Sequence, residues 1–243
     1  GARGFIADEL GSHLAAATGL PQPPPERIGS EADAKAPCLL LALDPALGRE
    51  AYACGVTGGV VHLRGGDARG LYYGVLAFLE QLGFRWYAPG ETGTVTPRLA
   101  AVAVPGDWQA RGAPSIPWRG YHICGTGWTK QGARIGHVVH ETALWMARNR
   151  MNFKPIHNDE ADEATPILHE LMLEPLAFGH SYSGWLPAES YVEHPEYFPL
   201  IAGKRQASGQ CCVSNPELVR LFLERIRAFA DAHPDLRIVS VAP

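Results

Sequence analysis

From residue 115 onward, segments that read as strands and segments that read as helices alternate along the chain. Alternation of this kind is typical of a parallel sheet whose strands are joined by right-handed helical crossovers. It constrains the fold more than any other feature, because few architectures accommodate it. The predicted strands are residues 115–124, 151–158, 176–180 and 236–243, and the predicted helices are residues 140–150, residues 164–173 and one opening at Asn215-Pro216-Glu217.

Four strands and three helices make about half of a (β/α)₈ TIM-like barrel, which normally takes roughly 250 residues. Half a barrel leaves sheet edges uncovered, which is unfavourable for an isolated chain. We therefore expect a truncated barrel, belonging to a longer protein. The alternative is a complete chain with a compact open sheet.

The first part of the chain follows a different pattern and predicts a small α+β domain. Its strongest helix, residues 68–82, carries a stripe of leucines and one valine, while Gly70 and Gly74 allow close packing on a sheet. Thr57-Gly58 separates two strand-like runs and favours a hairpin. We assign residues 1–112 to this domain, ending in a polar link, and residues 113–243 to the partial barrel. The other predicted elements are a helix at residues 5–18 and strands at residues 38–44, 50–56 and 59–65.

Composition excludes several classes of function. A net charge of −4 gives no reason to expect nucleic acid or an anionic membrane as partner. No apolar run approaches the roughly 20 residues needed to span a bilayer, and no signal peptide is visible. The five cysteines include no CxxC pair and predict buried thiols. The glycine-rich pieces lack the dinucleotide fingerprint, so we predict no cofactor.

Residues 69–97, RGLYYGVLAFLEQLGFRWYAPGETGTVTP, resemble the α+β domain that precedes the catalytic barrel in family 20 and family 67 glycoside hydrolases. These are the β-N-acetylhexosaminidases and the α-glucuronidases. The stretches WRGYH, WMARNRMNF, GHSYSGWLP, HPEYFPLIAGKR and SNPELVR are similar to a bacterial group of glycosidase-like proteins, largely of unknown function. The resemblance implies a carbohydrate substrate and a periplasmic or secreted location. It also implies that the catalytic acidic pair follows the fourth barrel strand, beyond Pro243.

Candidate binding residues cluster at the predicted strand ends. Barrel enzymes place functional groups at the C-terminal ends of their strands, and three such ends carry a histidine. Histidine, asparagine and arginine offer directed hydrogen bonds to sugar hydroxyls and carboxylates. Each could instead be a satisfied structural residue, and the three histidines together could hold a divalent metal. The candidates are Arg119, His122, His157, Asn158 and His180.

The segment between the third predicted strand and the Asn215 helix is long for a barrel loop, at roughly 35 residues. It is rich in aromatic residues, and Tyr182 and Trp185 are its candidates for stacking on a sugar ring. We predict the rim of a carbohydrate pocket, with a hydrophobic cluster that packs the loop as the alternative. The acidic run at residues 159–163 stands where a helix begins, so the helix dipole explains it without catalysis.

The sequence thus predicts a fragment of an enzyme that hydrolyses O-glycosidic bonds, of the hexosaminidase or glucuronidase type. The alternatives are a non-catalytic carbohydrate-binding protein on the same scaffold and a metal-dependent hydrolase using His122, His157 and His180. The genomic sequence after Pro243 would discriminate between the first two, because a glycosidase needs acidic residues there.

Overall fold

The computed structural model describes residues 1–26, 28–121, 132–156, 161–177, 181–207, 210–232 and 241–242. The protein forms two compact units, one of residues 1–154 with 162–175 and the other of residues 155–161 with 176–243. The predicted division into domains at residue 112 stays a prediction. The helices are α1 (Ala2–Thr18), α2 (Ala68–Leu82), α3 (Gly132–Arg148), α4 (Ala161–Glu170), α5 (Tyr182–Trp185) and α6 (Pro216–Ala232). The strands are β1 (Cys38–Leu43), β2 (Tyr52–Thr57), β3 (Val60–Gly65), β4 (Arg85–Trp86), β5 (Thr94–Val95), β6 (Gln109–Gly112), β7 (Phe153–Ile156), β8 (Glu174–Ala177), β9 (Leu200–Ile201) and β10 (Lys204–Arg205).

The first unit is built on a four-stranded sheet in the order β1-β3-β2-β6. Strands β2 and β3 form the predicted hairpin, in which Gly58 and Gly59 take the positive φ angles that its tight turn requires. Strand β1 runs parallel to β3 at the edge of the sheet. Only Leu40 of β1 is buried, so the prediction of a buried strand there holds for one residue.

Helix α2 covers this sheet and begins and ends at the predicted residues. The Asp67 side chain accepts a hydrogen bond from the Gly70 amide at 2.7 Å and caps its first turn. A side chain at Gly70 would put a Cβ atom 2.3 Å from the Ala51 carbonyl oxygen, and one at Gly74 would approach the Cys54 sulfur at 3.1 Å. The two glycines therefore allow α2 to pack directly on β2, as predicted. Helix α1 packs on α2 in turn.

The polar link predicted at the end of the first domain is in part a strand. Residues 109–112 form β6, which pairs antiparallel with β2 and completes the sheet. The prediction was wrong because the segment is polar, and its apolar and polar residues alternate only weakly. An edge strand with one solvent-facing side needs few apolar residues to be stable, so its sequence resembles a loop.

Among residues 113–243, the structure contains pairings between successive members of the predicted strands. Gly120 forms a parallel bridge to Phe153 in β7, and β7 pairs with β8. Within the described ranges no closed barrel is present, and the half-barrel stays a prediction. The predicted final strand, residues 236–243, lies almost wholly outside the described residues. None of the described helices is long and apolar enough to cross a membrane.

Candidate functional site

The structure describes three of the seven candidate binding residues. Arg119 lies in the first unit, and Tyr182 and Trp185 lie in the second. The other four candidates, His122, His157, Asn158 and His180, lie outside the described residues, as do Asp159 and Glu160 of the acidic run. Ligand contact by any of the seven therefore stays a prediction.

Arg119 belongs to a buried polar cluster centred on Glu50, which is 2% exposed. One Glu50 carboxylate oxygen accepts a hydrogen bond from Arg69 at 2.8 Å, and the other accepts one from Arg119 at 2.5 Å. Asn152, completely buried, donates its side-chain amide to Glu50 at 3.1 Å and to the Pro117 carbonyl oxygen at 2.7 Å. We call Glu50, Arg69, Tyr73, Arg119 and Asn152 the Glu50 cluster.

The guanidinium of Arg119 is directed at acceptors within the protein. Its Nε donates to the Arg150 carbonyl oxygen at 2.8 Å, and its terminal nitrogens donate to the Ile116 carbonyl oxygen at 2.7 Å and the Tyr73 hydroxyl at 2.9 Å. A further acceptor of the same guanidinium is the Glu50 carboxylate, so all of these acceptors are protein groups. This geometry gives Arg119 a structural task.

The electrostatics of the cluster favour the ionised carboxylate. Burial alone would raise the pKa of Glu50, but hydrogen bonds from Arg119, Asn152 and Arg69 outweigh it and hold that pKa below its usual value. Burial raises the pKa of the neighbouring Tyr73 hydroxyl to about 12, with the Glu50 charge acting in the same direction. At neutral pH the tyrosine is a neutral donor and acceptor, and the carboxylate is charged.

Sequence reasoning missed Glu50, Tyr73 and Asn152 as partners of Arg119. Glu50 stands in a turn before β2 and takes a positive φ of 56°, which is uncommon outside glycine. It is separated from Asn152 by 102 positions. No local pattern links residues so far apart, and the only available signal was the concentration of polar residues at the end of α3.

Tyr182 and Trp185 pack against the hydrophobic core of the second unit. The Tyr182 ring meets Phe222 edge-on, with centroids 5.3 Å apart, and the Trp185 ring meets Phe229 in the same way at 5.4 Å. Arg225 donates to the Trp185 carbonyl oxygen. The indole N–H of Trp185 is buried and meets no acceptor among the residues that the structure describes. The buried members of this core are Leu186, Tyr197, Phe198, Leu218 and Phe222.

A small cavity of about 140 Å³ opens beside Tyr182. Ser183, Gln210 and Cys211 add a hydroxyl, an amide and a thiol to its lining. Its volume is below the roughly 300 Å³ at which small-molecule sites begin. The cavity therefore fits part of a ligand, or a few water molecules at about 30 Å³ each. Both parts of the sequence interpretation remain open here, because the same aromatic rings pack the loop and border a cavity.

Ser181 and Tyr182 are hydrogen-bonded to Ala242. Ala242 accepts hydrogen bonds from the Ser181 and Tyr182 amides at 2.9 and 3.2 Å. The Ala242 amide donates to the Ser181 hydroxyl at 2.9 Å. Residues that follow the third predicted strand thus lie next to residues near the end of the fourth.

Among the described residues, no group of three or more histidine, cysteine or acidic side chains could hold a metal ion. The three histidines of the metal alternative lie outside those residues, so that alternative is untested. Cys54 is buried, and burial raises the pKa of its thiol to about 11, as expected for an inert structural cysteine.

A family model described as "Domain of unknown function (DUF4838)" matches residues 86–243, which is well over half of the chain. The chain belongs to the DUF4838 family. A search of the curated proteins found no match to this DUF4838 protein.

Solved structures similar to the DUF4838 chain are glycoside hydrolases. One is BtGH115A, a family GH115 4-O-methyl-α-glucuronidase with specificity for decorated arabinogalactans, at a TM-score of 0.56 and 12% identity, covering 95% of this chain and 38% of the enzyme. Another is a mutant Streptomyces plicatus β-hexosaminidase in complex with its GlcNAc product, at a TM-score of 0.50 and 16% identity, covering 95% of this chain and 50% of the enzyme. The DUF4838 chain thus spans half or less of the length of these enzymes. At such identities the likeness shows a mixed α/β, glycosidase-like fold and nothing finer.

Proposed function

We propose that the chain is part of a carbohydrate-active enzyme that hydrolyses O-glycosidic bonds. The observation that carries the proposal is the likeness to the GH115 α-glucuronidase across 95% of the chain. Because the chain spans 38% of that enzyme, hydrolysis is proposed for the full-length protein, and sugar binding for this part of it.

The strand order supports the first half of a barrel as the scaffold. The parallel bridge from Gly120 to Phe153, the pairing of β7 with β8, and the hydrogen bonds between Ser181 and Ala242 relate successive strand segments as neighbours. In a closed barrel each strand lies next to the one that follows it in sequence. The same order is compatible with an open sheet, so closure is part of the proposal.

The proposed sugar site lies at the C-terminal ends of these strands. His122, His157, Asn158 and His180 would donate and accept hydrogen bonds with hydroxyl groups, and Tyr182 and Trp185 would form the rim. Arg119 is retained as a candidate, although its present partners are all protein groups. A glycosidase works with two carboxylic acids, or with one acid and an acetamido group of the substrate. We place the acids beyond Pro243.

The decisive experiment uses the full-length protein with 4-nitrophenyl glycosides of N-acetylglucosamine and glucuronic acid, and with glucuronoxylan and arabinogalactan. We expect hydrolysis of at least one substrate. His122→Ala, His157→Ala and His180→Ala should each lower kcat/KM at least tenfold, about 1.4 kcal/mol of transition-state binding. His169→Ala is the matched control, since His169 is exposed on α4 and is not a candidate.

The outcomes separate the alternatives. Hydrolysis that survives all three histidine substitutions would contradict the proposed site. Binding of a polysaccharide without any hydrolysis would favour the non-catalytic carbohydrate-binding protein. The metal-dependent hydrolase would be favoured if the protein contains one zinc ion per molecule and if the histidine substitutions remove both the zinc and the activity.

A further inference from the structure

The first unit contains a groove that the proposed barrel site does not use. It lies among α1, the hairpin of β4 and β5, and α3, and has a volume of about 490 Å³. This is within the range of roughly 300–1,000 Å³ that is usual for small-molecule sites. The aromatic and ionisable residues in its lining are Glu9, His13, Trp86, Glu91, Glu141, Trp145 and Arg148.

Trp86 and Trp145 line the groove, and a hydrogen bond holds the Trp145 indole in place. The Trp145 indole N–H donates to the Trp86 carbonyl oxygen at 3.1 Å, and the Asn149 amide donates to the same oxygen at 3.0 Å. Outside the groove lining, Tyr121 is 46% exposed and meets the half-buried Trp145 edge-on, with centroids 5.7 Å apart. The fixed, partly exposed Trp145 indole offers a flat apolar face at low entropic cost.

Two of the charged groups that line the groove, Glu9 and Arg148, neutralise each other. Arg148 donates to both Glu9 carboxylate oxygens, at 3.0 and 2.7 Å, and the Tyr72 hydroxyl donates to Glu9 at 2.9 Å. His13 is buried with its Nδ1 2.7 Å from the Glu9 carbonyl oxygen, and burial lowers its pKa, so it is neutral at pH 7. The arginine charge is therefore compensated inside the protein and is not available to an anionic ligand.

The rim adds acceptors and donors for hydroxyl groups. Glu91 is exposed and makes no ion pair among the described residues, so it leaves negative charge at the rim. Ser12, Thr94 and Thr96 line the groove with hydroxyls. Carboxylate and hydroxyl oxygens next to aromatic faces suit a polyhydroxylated, uncharged ligand, whereas a uronic acid would meet repulsion from Glu91.

The loop that carries Glu91 is fixed before any ligand arrives. The Tyr87 amide donates to the Gly93 carbonyl oxygen at 2.8 Å, and the Thr94 hydroxyl donates to the Gly90 carbonyl oxygen at 3.0 Å. Gly90 has a φ of 80°, and a Cβ at Gly93 would lie 2.2 Å from the Ala88 carbonyl oxygen. A loop fixed in this way loses little entropy on binding.

We propose that this groove binds a neutral saccharide chain at a site separate from the proposed barrel site. Such a site would hold one part of a polysaccharide on the protein while another part of the same polysaccharide is hydrolysed. It is independent of the proposed hydrolysis, because binding alone is required of it.

The test is isothermal titration of the full-length protein with cellotetraose, xylotetraose, mannotetraose and chitotetraose as neutral probes, and with tetragalacturonate as the acidic probe. We expect at least one neutral probe to bind, and tetragalacturonate to bind at least tenfold more weakly. Trp145→Ala should weaken the neutral probe at least tenfold, and Trp145→Phe should restore part of the loss. Glu91→Gln should reduce the difference in affinity between the neutral probes and tetragalacturonate. Glu189 is an exposed carboxylate of the second unit, and Glu189→Gln should leave that difference unchanged.

Thermal unfolding checks that each variant is folded. If the Trp145 variants do not fold, the Glu91→Gln variant still tests the proposal, because Glu91 is exposed. The proposal is overturned if no neutral probe binds, if tetragalacturonate binds as tightly as the neutral probes, or if Glu91→Gln leaves the difference in affinity unchanged. Since the measurement needs no hydrolysis, a negative result leaves the hydrolase proposal standing. A lack of glycosidase activity likewise leaves this one standing.

Discussion

At the scale of single residues, the buried Glu50 carboxylate is the centre of a polar cluster in the first unit. It accepts hydrogen bonds from Arg69, Arg119 and Asn152. A buried ion pair contributes little over a hydrophobic replacement, but removing one partner leaves the other charge uncompensated. The stability of the first unit should therefore be sensitive to this residue.

We predict that Glu50→Gln destabilises the protein by roughly 3 kcal/mol, because the half-buried Arg69 and Arg119 lose the buried counter-charge that they share. Glu31→Gln is the matched control. Glu31 pairs with Arg64 at the surface, with side chains 45% and 38% exposed, and such a pair contributes at most about 1 kcal/mol. Urea denaturation of both variants measures the difference. Equal losses would show that burial of the Glu50 pair has no energetic consequence.

At the scale of elements, helices α2 and α6 show two different ways in which sequence fixes a helix. Helix α2 is defined by its cap at Asp67 and by two glycines that fit the sheet. Helix α6 is defined at its start by Asn215, whose side-chain oxygen accepts from the Glu217 and Leu218 amides at 2.9 and 3.3 Å. The glycines of α2 depend on tertiary packing, whereas the Asn215 cap of α6 depends on local hydrogen bonds. Substitutions at the two sites should therefore destabilise the protein by different mechanisms.

We predict that Gly70→Ala destabilises the protein by roughly 1–3 kcal/mol, because the new methyl group would lie 2.3 Å from a backbone oxygen that cannot rotate away. Gly11→Ala is the matched control in α1. It has open space around it and should stabilise the helix by about 0.5–1 kcal/mol. Thermal unfolding compares the two, and a stable Gly70→Ala variant would refute the close packing of α2.

For α6 we predict that Asn215→Ala costs about 1 kcal/mol, since two amides of the first turn lose their acceptor. Asn215→Ser keeps a capping oxygen and should cost only a few tenths of that amount. Chemical denaturation and helical circular dichroism provide the measurement. A serine variant as unstable as the alanine variant would mean that the cap is not what fixes this end.

At the scale of the whole molecule, ion pairs join distant segments of the first unit. Glu9 pairs with Arg148 and Glu80 with Arg150, across 139 and 70 positions of sequence. Burial would raise the pKa of Glu9, but the hydrogen bonds and charge of Arg148 outweigh it, so that the pKa lies below its usual value. Burial also lowers the pKa of His13. The unfolded chain therefore binds more protons than the folded chain in two ranges of pH.

These shifts predict two steps of acid destabilisation. The stabilising effect of neutral His13 is complete above its ordinary pKa of 6.5 and is lost as the pH falls from there. That of Glu9 and Glu50 is complete above 4.5 and is lost below it. Each group contributes a slope of at most about 1.4 kcal/mol per pH unit. Denaturation at pH 8 to 3 measures the steps, and His13→Gln should remove the first. An unchanged slope in that variant would assign the step to another group.

Much of the fold is predictable from local sequence, and little of the candidate site is. The bounds of α2, the β2–β3 hairpin and the cap of α6 follow from periodicity and turn chemistry within a few residues. Strand β6 was mistaken for a link, because a polar edge strand has no pattern of its own. The long-range partners of Arg119 lie 31 to 69 positions away in sequence, and no spacing rule reaches so far.

The sequence by itself determined the bounds of α2, the β2–β3 hairpin and the start of α6, because hydrogen bonding and hydrophobic periodicity within an element are local. Its motifs also indicated the glycosidase-like fold that the solved structures share with the chain. Only the tertiary structure decided that Glu50 neutralises Arg69 and Arg119, that β6 completes the first sheet, and that α1, α3 and the β4–β5 hairpin enclose a groove. Each of these depends on contacts between segments far apart in the chain, whose free energy comes from burial and charge pairing that exist only once the segments have met.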